Sequence, residues 1–185
     1  MRSAIVCGSG VAGLSAAISL ARNGWKVDVY EKASAIREIG AGIFIKGNGL
    51  RVLESYGLLE RIRRDCVILR EAHVLDRDGH QLQKRILNKV NTVWNVKREL
   101  LIRALHDRAL ELGVKVHVDC NVSAVGEDGS VTVRSERLRA DVVVAADGVR
   151  SATRRQLGLD RAVSQPRSGA IRLLLPRTEI GRAHV

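Results

Sequence analysis

Gly8, Gly10 and Gly13, followed by a carboxylate at Glu31, have the types and spacing needed to hold a nucleotide's pyrophosphate and ribose. Gly8 permits a tight turn, Gly10 lets a pyrophosphate approach the backbone without meeting a Cβ, and Gly13 allows the following helix to pack closely. The start of that helix offers unpaired N–H groups and a positive dipole end to an anion, with the amides of Val11 and Ala12 placed to donate. A carboxylate at Glu31 can accept both hydroxyls of an adenosine ribose and would repel a 2′-phosphate, which favours FAD or NAD over NADP. The same pattern also fits an ordinary βαβ unit with a glycine turn and no ligand.

The surrounding elements give the glycines their context. An apolar run over Ala4 to Cys7 reads as a strand. An apolar-periodic stretch through Leu14, Ala17, Ile18 and Ala21 reads as a helix that Gly24 ends, and Val27 and Val29 belong to a second strand that Glu31 closes. The stretch with Gly40, Gly42, Gly47 and Gly49 is expected to be a glycine-rich loop leading into helices around Leu50, Leu53 and Leu58. Asp78-Gly79 and Asp128-Gly129 each separate two strand-like runs and predict hairpins. The chain is expected to turn helical after the first hairpin. The segment from Arg98 to Leu112 is a helix with Leu101, Ala104, Leu105 and Leu112 on one face, and Val114 to Val118 returns to the parallel sheet. Ala140 to Gly148 reads as a strand buried on both faces, with Asp147-Gly148 at its carboxyl end, where doubly wound sheets place ligands. A short helix over Ser151 to Leu157 follows.

Composition narrows the classes. The 185 residues are 45% hydrophobic and carry three cysteines, Cys7, Cys66 and Cys120, without C-x-x-C spacing or paired histidines, so no metal site is expected. No run of eighteen apolar residues is present, and the first residues enter a strand directly. The expectation is a cytoplasmic protein without a membrane span. The net charge of +11 raises a basic nucleic-acid-binding module as a rival reading. From Val131 onward 11 arginines face 5 acids, but they are scattered among strands and turns, and aromatics make up 3% of the chain. A solvated basic surface that attracts anionic ligands fits better, with no nucleic-acid partner. His73, His80, His106 and His117 read as surface or strand histidines rather than catalysts.

Four segments together resemble the FAD-dependent aromatic hydroxylases, the single-component flavoprotein monooxygenases of the salicylate and p-hydroxybenzoate hydroxylase type. They are GSGVAGLSAAISLARNGWKVDVYEK near the start, REIGAGI at Arg37 to Ile43, VKREL at Val96 to Leu100, and ADGVRSATR at Ala146 to Arg154. The last two discriminate, because the first occurs in many flavin and NAD enzymes. The resemblance implies that Glu31 holds the adenosine ribose, that Lys32 and Ala12 contact the AMP half, and that Arg98 reaches toward the flavin pyrophosphate or ribityl chain. It further implies that Val122 lines the adenine pocket, and that Asp147 and Gly148, completed by Ser151 and Arg154, serve FAD and NAD(P)H binding. The loop from Gly40 to Ile43 would pass beside the isoalloxazine ring. From the residues alone, Arg98 could equally be a surface charge and Asp147 a turn or cap residue.

The expected architecture is therefore α/β: a Rossmann-like FAD-binding βαβ domain over 1–160, with a small antiparallel hairpin element. The start of a substrate domain is expected over 161–179 and a non-native tail over 180–185. The resemblance implies a monooxygenase that hydroxylates an aromatic substrate with NAD(P)H and O2. Its relatives continue well past this length, so catalytic groups are not assigned and the chain by itself is expected to be inactive. A different FAD- or NAD-dependent oxidoreductase, an oxidase or an isoprenoid reductase, is the alternative.

Overall fold

The computed structural model describes residues 1–36, 42–161 and 169. The chain divides into two compact units, Met1–Glu38 with Leu101–Arg167, and Ile39–Leu100 with Ser168–Val185. Of the expected substrate-domain start over 161–179 only Arg161 and Gly169 are described, and the tail over 180–185 lies outside the described residues.

The first unit opens with β1 (Ser3–Cys7), α1 (Val11–Arg22) and β2 (Lys26–Tyr30). β1 and β2 pair in parallel, with Val6 opposite Val29. Both side chains are fully buried. Residues alternate across a strand, so Ile5 and Cys7 face one side of the sheet and Ala4 and Val6 the other, and all four are buried. That two-sided burial explains why β1 is continuously apolar. Leu14, Ala17 and Ile18 form the buried stripe of α1.

The second unit contains β3 (Gly42–Lys46), α2 (Gly47–Ser55), α3 (Leu59–Arg63), β4 (Val67–Ile68), β5 (Glu71–Leu75), β6 (Gln81–Ile86) and β7 (Val93–Lys97). β3 and β4 flank β7 in an antiparallel sheet, and β5 pairs with β6 across the predicted turn. Asp76 shapes that turn, its Oδ1 accepting the N–H groups of Asp78 at 2.9 Å and His80 at 2.8 Å. Two expectations fail here. The glycine-rich stretch is not loop throughout, since Gly42 to Lys46 is a strand, and the segment after the hairpin is strand β7 before it is a helix. The physical reason is mutual pairing: GIFIK and VWNVK are short and weakly patterned alone, but each supplies the other's backbone partners.

Helix α4 (Arg98–Glu111) carries the chain back into the first unit, followed by β8 (Lys115–His117), β9 (Val122–Val125), β10 (Ser130–Val133), β11 (Glu136–Arg139), β12 (Val142–Ala145) and α5 (Ala152–Gln156). The parallel sheet has the order β12-β1-β2-β8, and β9, β10 and β11 form a separate antiparallel sheet. Val131 and Val133 pack with Ile5, Cys7 and Cys120, so this meander covers one face of the parallel sheet.

β12 corrects another expectation. Val142 to Ala145 is not buried on both faces. It is an edge strand of the described sheet, with Val142 37% exposed. Val143 packs on the meander side, but α1 lies mainly over β1 and β2, which among the described residues leaves the other face of β12 only partly covered. The start of β12 is tied to β1 by Asp141, whose Oδ2 accepts the Ser3 N–H at 2.7 Å and the Ser3 hydroxyl at 3.0 Å. Among the described residues no helix is long and apolar enough to cross a membrane.

Candidate nucleotide-binding site

The site lies at the carboxyl end of the parallel sheet, within the first unit. β1 ends at Gly8, whose φ of +104° is disfavoured for any residue with a side chain, and a Cβ there would stand 2.5 Å from the Ala146 carbonyl oxygen. Gly8 donates its N–H to the Tyr30 carbonyl at 2.8 Å, and Ala146 donates to the Cys7 carbonyl at 2.9 Å, so the exits from β1, β2 and β12 are held side by side. Glu31 donates to the His117 carbonyl and Cys120 to the Glu31 carbonyl, each at 2.8 Å, which brings in the exit from β8.

These exits enclose a cleft of about 290 Å³. Gly8, Gly10, Glu31, Lys32, Val122, Asp147 and Gly148 line it together, with Ser9 and Arg150. Ligand pockets commonly run from about 300 to 1,000 Å³, so the size suits one nucleotide half better than a whole dinucleotide. Gly10 caps α1 with φ −69° and ψ −178°, a conformation open to any residue. The backbone does not require glycine at that position.

The remaining sequence candidates stand elsewhere. Ala12 is exposed on the first turn of α1. Gly13 is buried, and a Cβ on it would fall 1.9 Å from the Gly8 carbonyl oxygen. Its role is to let the glycine turn pass under the helix, not to line the cleft. Arg98 is exposed at the first position of α4, within the second unit. Of the loop from Gly40 to Ile43 expected beside a flavin ring, residues 40 and 41 lie outside the described residues.

Two carboxylates dominate the electrostatics. Glu31 Oε2 accepts both the N–H and the hydroxyl of Ser9 at 2.8 Å, and Oε1 accepts the Ala33 N–H at 2.9 Å. Burial alone would raise its pKa, but the Ala33 and Ser9 hydrogen bonds and the Lys32 charge hold it below the usual carboxylate value. Asp147 Oδ1 accepts the Ser151 hydroxyl at 2.6 Å and Oδ2 accepts the Thr153 N–H at 3.1 Å. Burial opposes ionisation there too, and these partners outweigh it, leaving the pKa lowered. Ser151 in turn caps α5 by accepting the Arg154 N–H at 2.9 Å. Asp147 therefore anchors the turn that carries Gly148 at the cleft. Beneath the site, burial and then the Asp147 charge push the Cys7 thiol up to about 11, which keeps it protonated and unreactive at neutral pH.

Ser9 is the residue that sequence reasoning missed. It occupies the variable position of the first G-x-G, is 4% exposed, and makes two hydrogen bonds to the acid at the end of the second strand. The signal available in the sequence was a hydroxyl between two turn glycines, with an acid placed to meet it.

The depressed carboxylates predict an acid transition. Glu31, Asp141 and Asp147 all have folded values below their unfolded ones. Their stabilisation is fully present above the unfolded value near 4 and is lost as pH falls through the lower folded values. The thermal midpoint should be flat from about pH 7 to pH 5 and fall below about pH 4. Circular dichroism melts across that range check this, with Glu31→Gln expected to flatten the acid limb.

The sequence matches the family described as FAD binding domain over residues 1–179. It is 36% identical over 173 residues to a 2-heptyl-3-hydroxy-4(1H)-quinolone synthase of Mycobacteroides abscessus, covering 92% of this chain and 46% of that protein. It is 34% identical over 184 residues to the FAD-dependent monooxygenase OpS4 of Beauveria bassiana, covering 92% and 43%. Among solved structures, the tetrameric form of 2-methyl-3-hydroxypyridine-5-carboxylic acid oxygenase is similar at a TM-score of 0.74 and 37% identity, over 85% of this chain and 42% of that one. Pseudomonas aeruginosa PqsL in complex with 2-aminobenzoylacetate is similar at 0.79 and 29%, over 89% and 48%. The chain spans about half the length of the curated relatives it matches.

Proposed function

Because this chain belongs to the FAD binding domain family, we propose that it holds FAD for a monooxygenase reaction that hydroxylates an aromatic substrate at the expense of NAD(P)H and O2. The observation that carries the reading is the cleft at the carboxyl end of the parallel sheet, where Glu31 meets the glycine turn that leads into α1. A dinucleotide needs these two groups at one end: amides and a dipole for its phosphates, and a charged acceptor for its ribose.

The residues present fit the cofactor. Gly8 makes the tight turn out of β1, Gly10 lets the phosphates approach the backbone, Glu31 takes the adenosine ribose, and Lys32 lies beside the AMP half. Val122 supplies an apolar wall for the adenine, and Asp147 positions Gly148 along the cofactor. Ala12 contributes its amide from the first turn of α1, Gly13 supports that turn from below, and Arg98 is assigned to the pyrophosphate or ribityl chain. Bound FAD would supply the redox chemistry, and the chain's own contribution is to bind, orient and neutralise it. The names of the quinolone synthase, of the pyridine carboxylic acid oxygenase and of the PqsL complex support an aromatic substrate for this protein too. The units along the chain are assigned as the FAD-binding domain over 1–160 and the beginning of a substrate domain over 161–179, with 180–185 as a non-native tail. The protein acts in the cytoplasm.

Titrating the chain with FAD while following flavin fluorescence tests the binding half of the reading. A saturable, one-to-one complex is expected, and no binding at up to millimolar FAD would overturn it. For the reaction, the protein that carries this chain should consume NAD(P)H and O2 and form a hydroxylated product when given an aromatic acid or phenol. NAD(P)H consumption that never places oxygen in any aromatic tested would move the function to a different FAD-dependent oxidoreductase.

A further inference from the structure

The Glu31 carboxylate is already heavily used before any ligand is considered. An ionised carboxylate offers about four acceptor directions. Ser9 fills two of them, both on Oε2, through its N–H and its hydroxyl, and the Ala33 N–H fills one on Oε1. The backbone donors are fixed by the turn and by the exit from β2. The Ser9 hydroxyl is the only side-chain donor to Glu31 among the described residues, and it belongs to a buried residue.

From this geometry we infer that Ser9 is a positioning residue of the nucleotide site: its hydroxyl pins Oε2 of Glu31 inward, so that the carboxylate presents a single open direction, on Oε1, to a ribose hydroxyl. The inference rests on the reading of the cleft as a dinucleotide site, and it makes that site's affinity depend on pH through Glu31. A protonated carboxyl has lost its charge and one acceptor direction, so binding weakens as pH falls through the Glu31 pKa. Removing the Ser9 hydroxyl removes one of the interactions that lower this pKa. The weakening should then begin at a higher pH. The other charged or titratable groups around the carboxylate are Lys32 on its own segment, Asp147 and Arg150 beyond β12, Tyr30 at the end of β2, and the Cys7 and Cys120 thiols. None of them is altered by the substitution.

The test uses the full 185-residue chain and its Ser9→Ala, Ser9→Gly, Ser9→Thr, Glu31→Gln and Ser9→Ala/Glu31→Gln variants. The ligand-free Glu31 carboxyl is titrated by 13C NMR, and FAD dissociation constants are measured from pH 4 to pH 8. Ser9→Ala is expected to weaken FAD by about three- to ten-fold at neutral pH, the scale of one lost orienting hydrogen bond. It should also raise the Glu31 titration and shift the acid loss of binding upward, with Ser9→Gly doing the same and Ser9→Thr restoring both. In the Glu31→Gln background Ser9→Ala should have no further effect, because Ser9 acts through Glu31. An unchanged Glu31 titration in both Ser9→Ala and Ser9→Gly would overturn the inference, as would an undiminished effect in the Glu31→Gln background. If no variant binds FAD, the dinucleotide reading falls while the carboxyl titration still decides what Ser9 does.

Discussion

Gly13→Ala is expected to destabilise the first compact unit by about 3 kcal/mol or more, at or above the upper end of the ~1–3 kcal/mol typical of overpacking, because the new Cβ meets atoms unable to move. The new Cβ would lie 1.9 Å from the Gly8 carbonyl oxygen, 3.0 Å from the Gly8 carbonyl carbon and 3.3 Å from Val6 Cγ1. Two of these are backbone atoms of the glycine turn and the third belongs to a fully buried side chain, so helix and turn must separate. Gly24→Ala provides the contrast. Gly24 has φ +78° and nothing within 4 Å of its Cβ position, so only the left-handed conformation is penalised, by about 1–2 kcal/mol. Thermal melts of the two variants should show a far larger drop for Gly13→Ala. A Gly13→Ala midpoint no lower than that of Gly24→Ala would show that α1 can lift off the turn without cost, contrary to the packing described.

The second large effect is on the cofactor. Glu31→Ala should weaken FAD by about 10- to 100-fold, corresponding to the loss of a charge-assisted hydrogen bond of about 1.5–3 kcal/mol. ADP, which keeps the adenosine ribose and lacks the flavin, should lose affinity by the same factor. Asp147→Ala should behave differently, because both Asp147 oxygens are engaged by Ser151 and Thr153 at the start of α5. There the thermal midpoint and FAD affinity should fall together, and Asp147→Asn, which keeps an acceptor for the Ser151 hydroxyl, should recover part of each. Isothermal titration of FAD and ADP with parallel melts distinguishes the two residues. Equal FAD affinity in wild type and Glu31→Ala would remove Glu31 from the site.

These effects divide along the line between what the residues announce and what packing adds. Local chemistry fixed much of the first unit, and one hairpin of the second, in advance. The run Ala4 to Cys7, the glycine turn, the stripe of Leu14, Ala17 and Ile18, and the two Asp-Gly hairpins all carry their own periodicity or turn chemistry, and each forms where it is read. Strands β3, β7 and β11 do not announce themselves. GIFIK follows a glycine cluster, and ERLR is mostly charged; each becomes a strand because a partner satisfies its backbone. The continuous apolar run of β12 suggests burial on both faces, but a strand's burial depends on what covers it, and α1 lies mainly over β1 and β2.

At the site, residue types and spacing determined by themselves that a glycine turn, a helix start and an acid would meet at the end of a parallel sheet, since a βαβ unit of this length has only one compact way to close. Tertiary structure alone decided what those groups do to one another. It placed the Ser9 hydroxyl on the Glu31 carboxylate, turned Asp147 toward Ser151 and Thr153, and seated Gly13 against the Gly8 carbonyl. The first two are hydrogen bonds of about 2.6 to 3.1 Å, and the third is a fit so close that a Cβ on Gly13 would stand 1.9 Å from the Gly8 carbonyl oxygen. Distances of that kind are set by how the elements pack, and side-chain periodicity along one element carries no information about them.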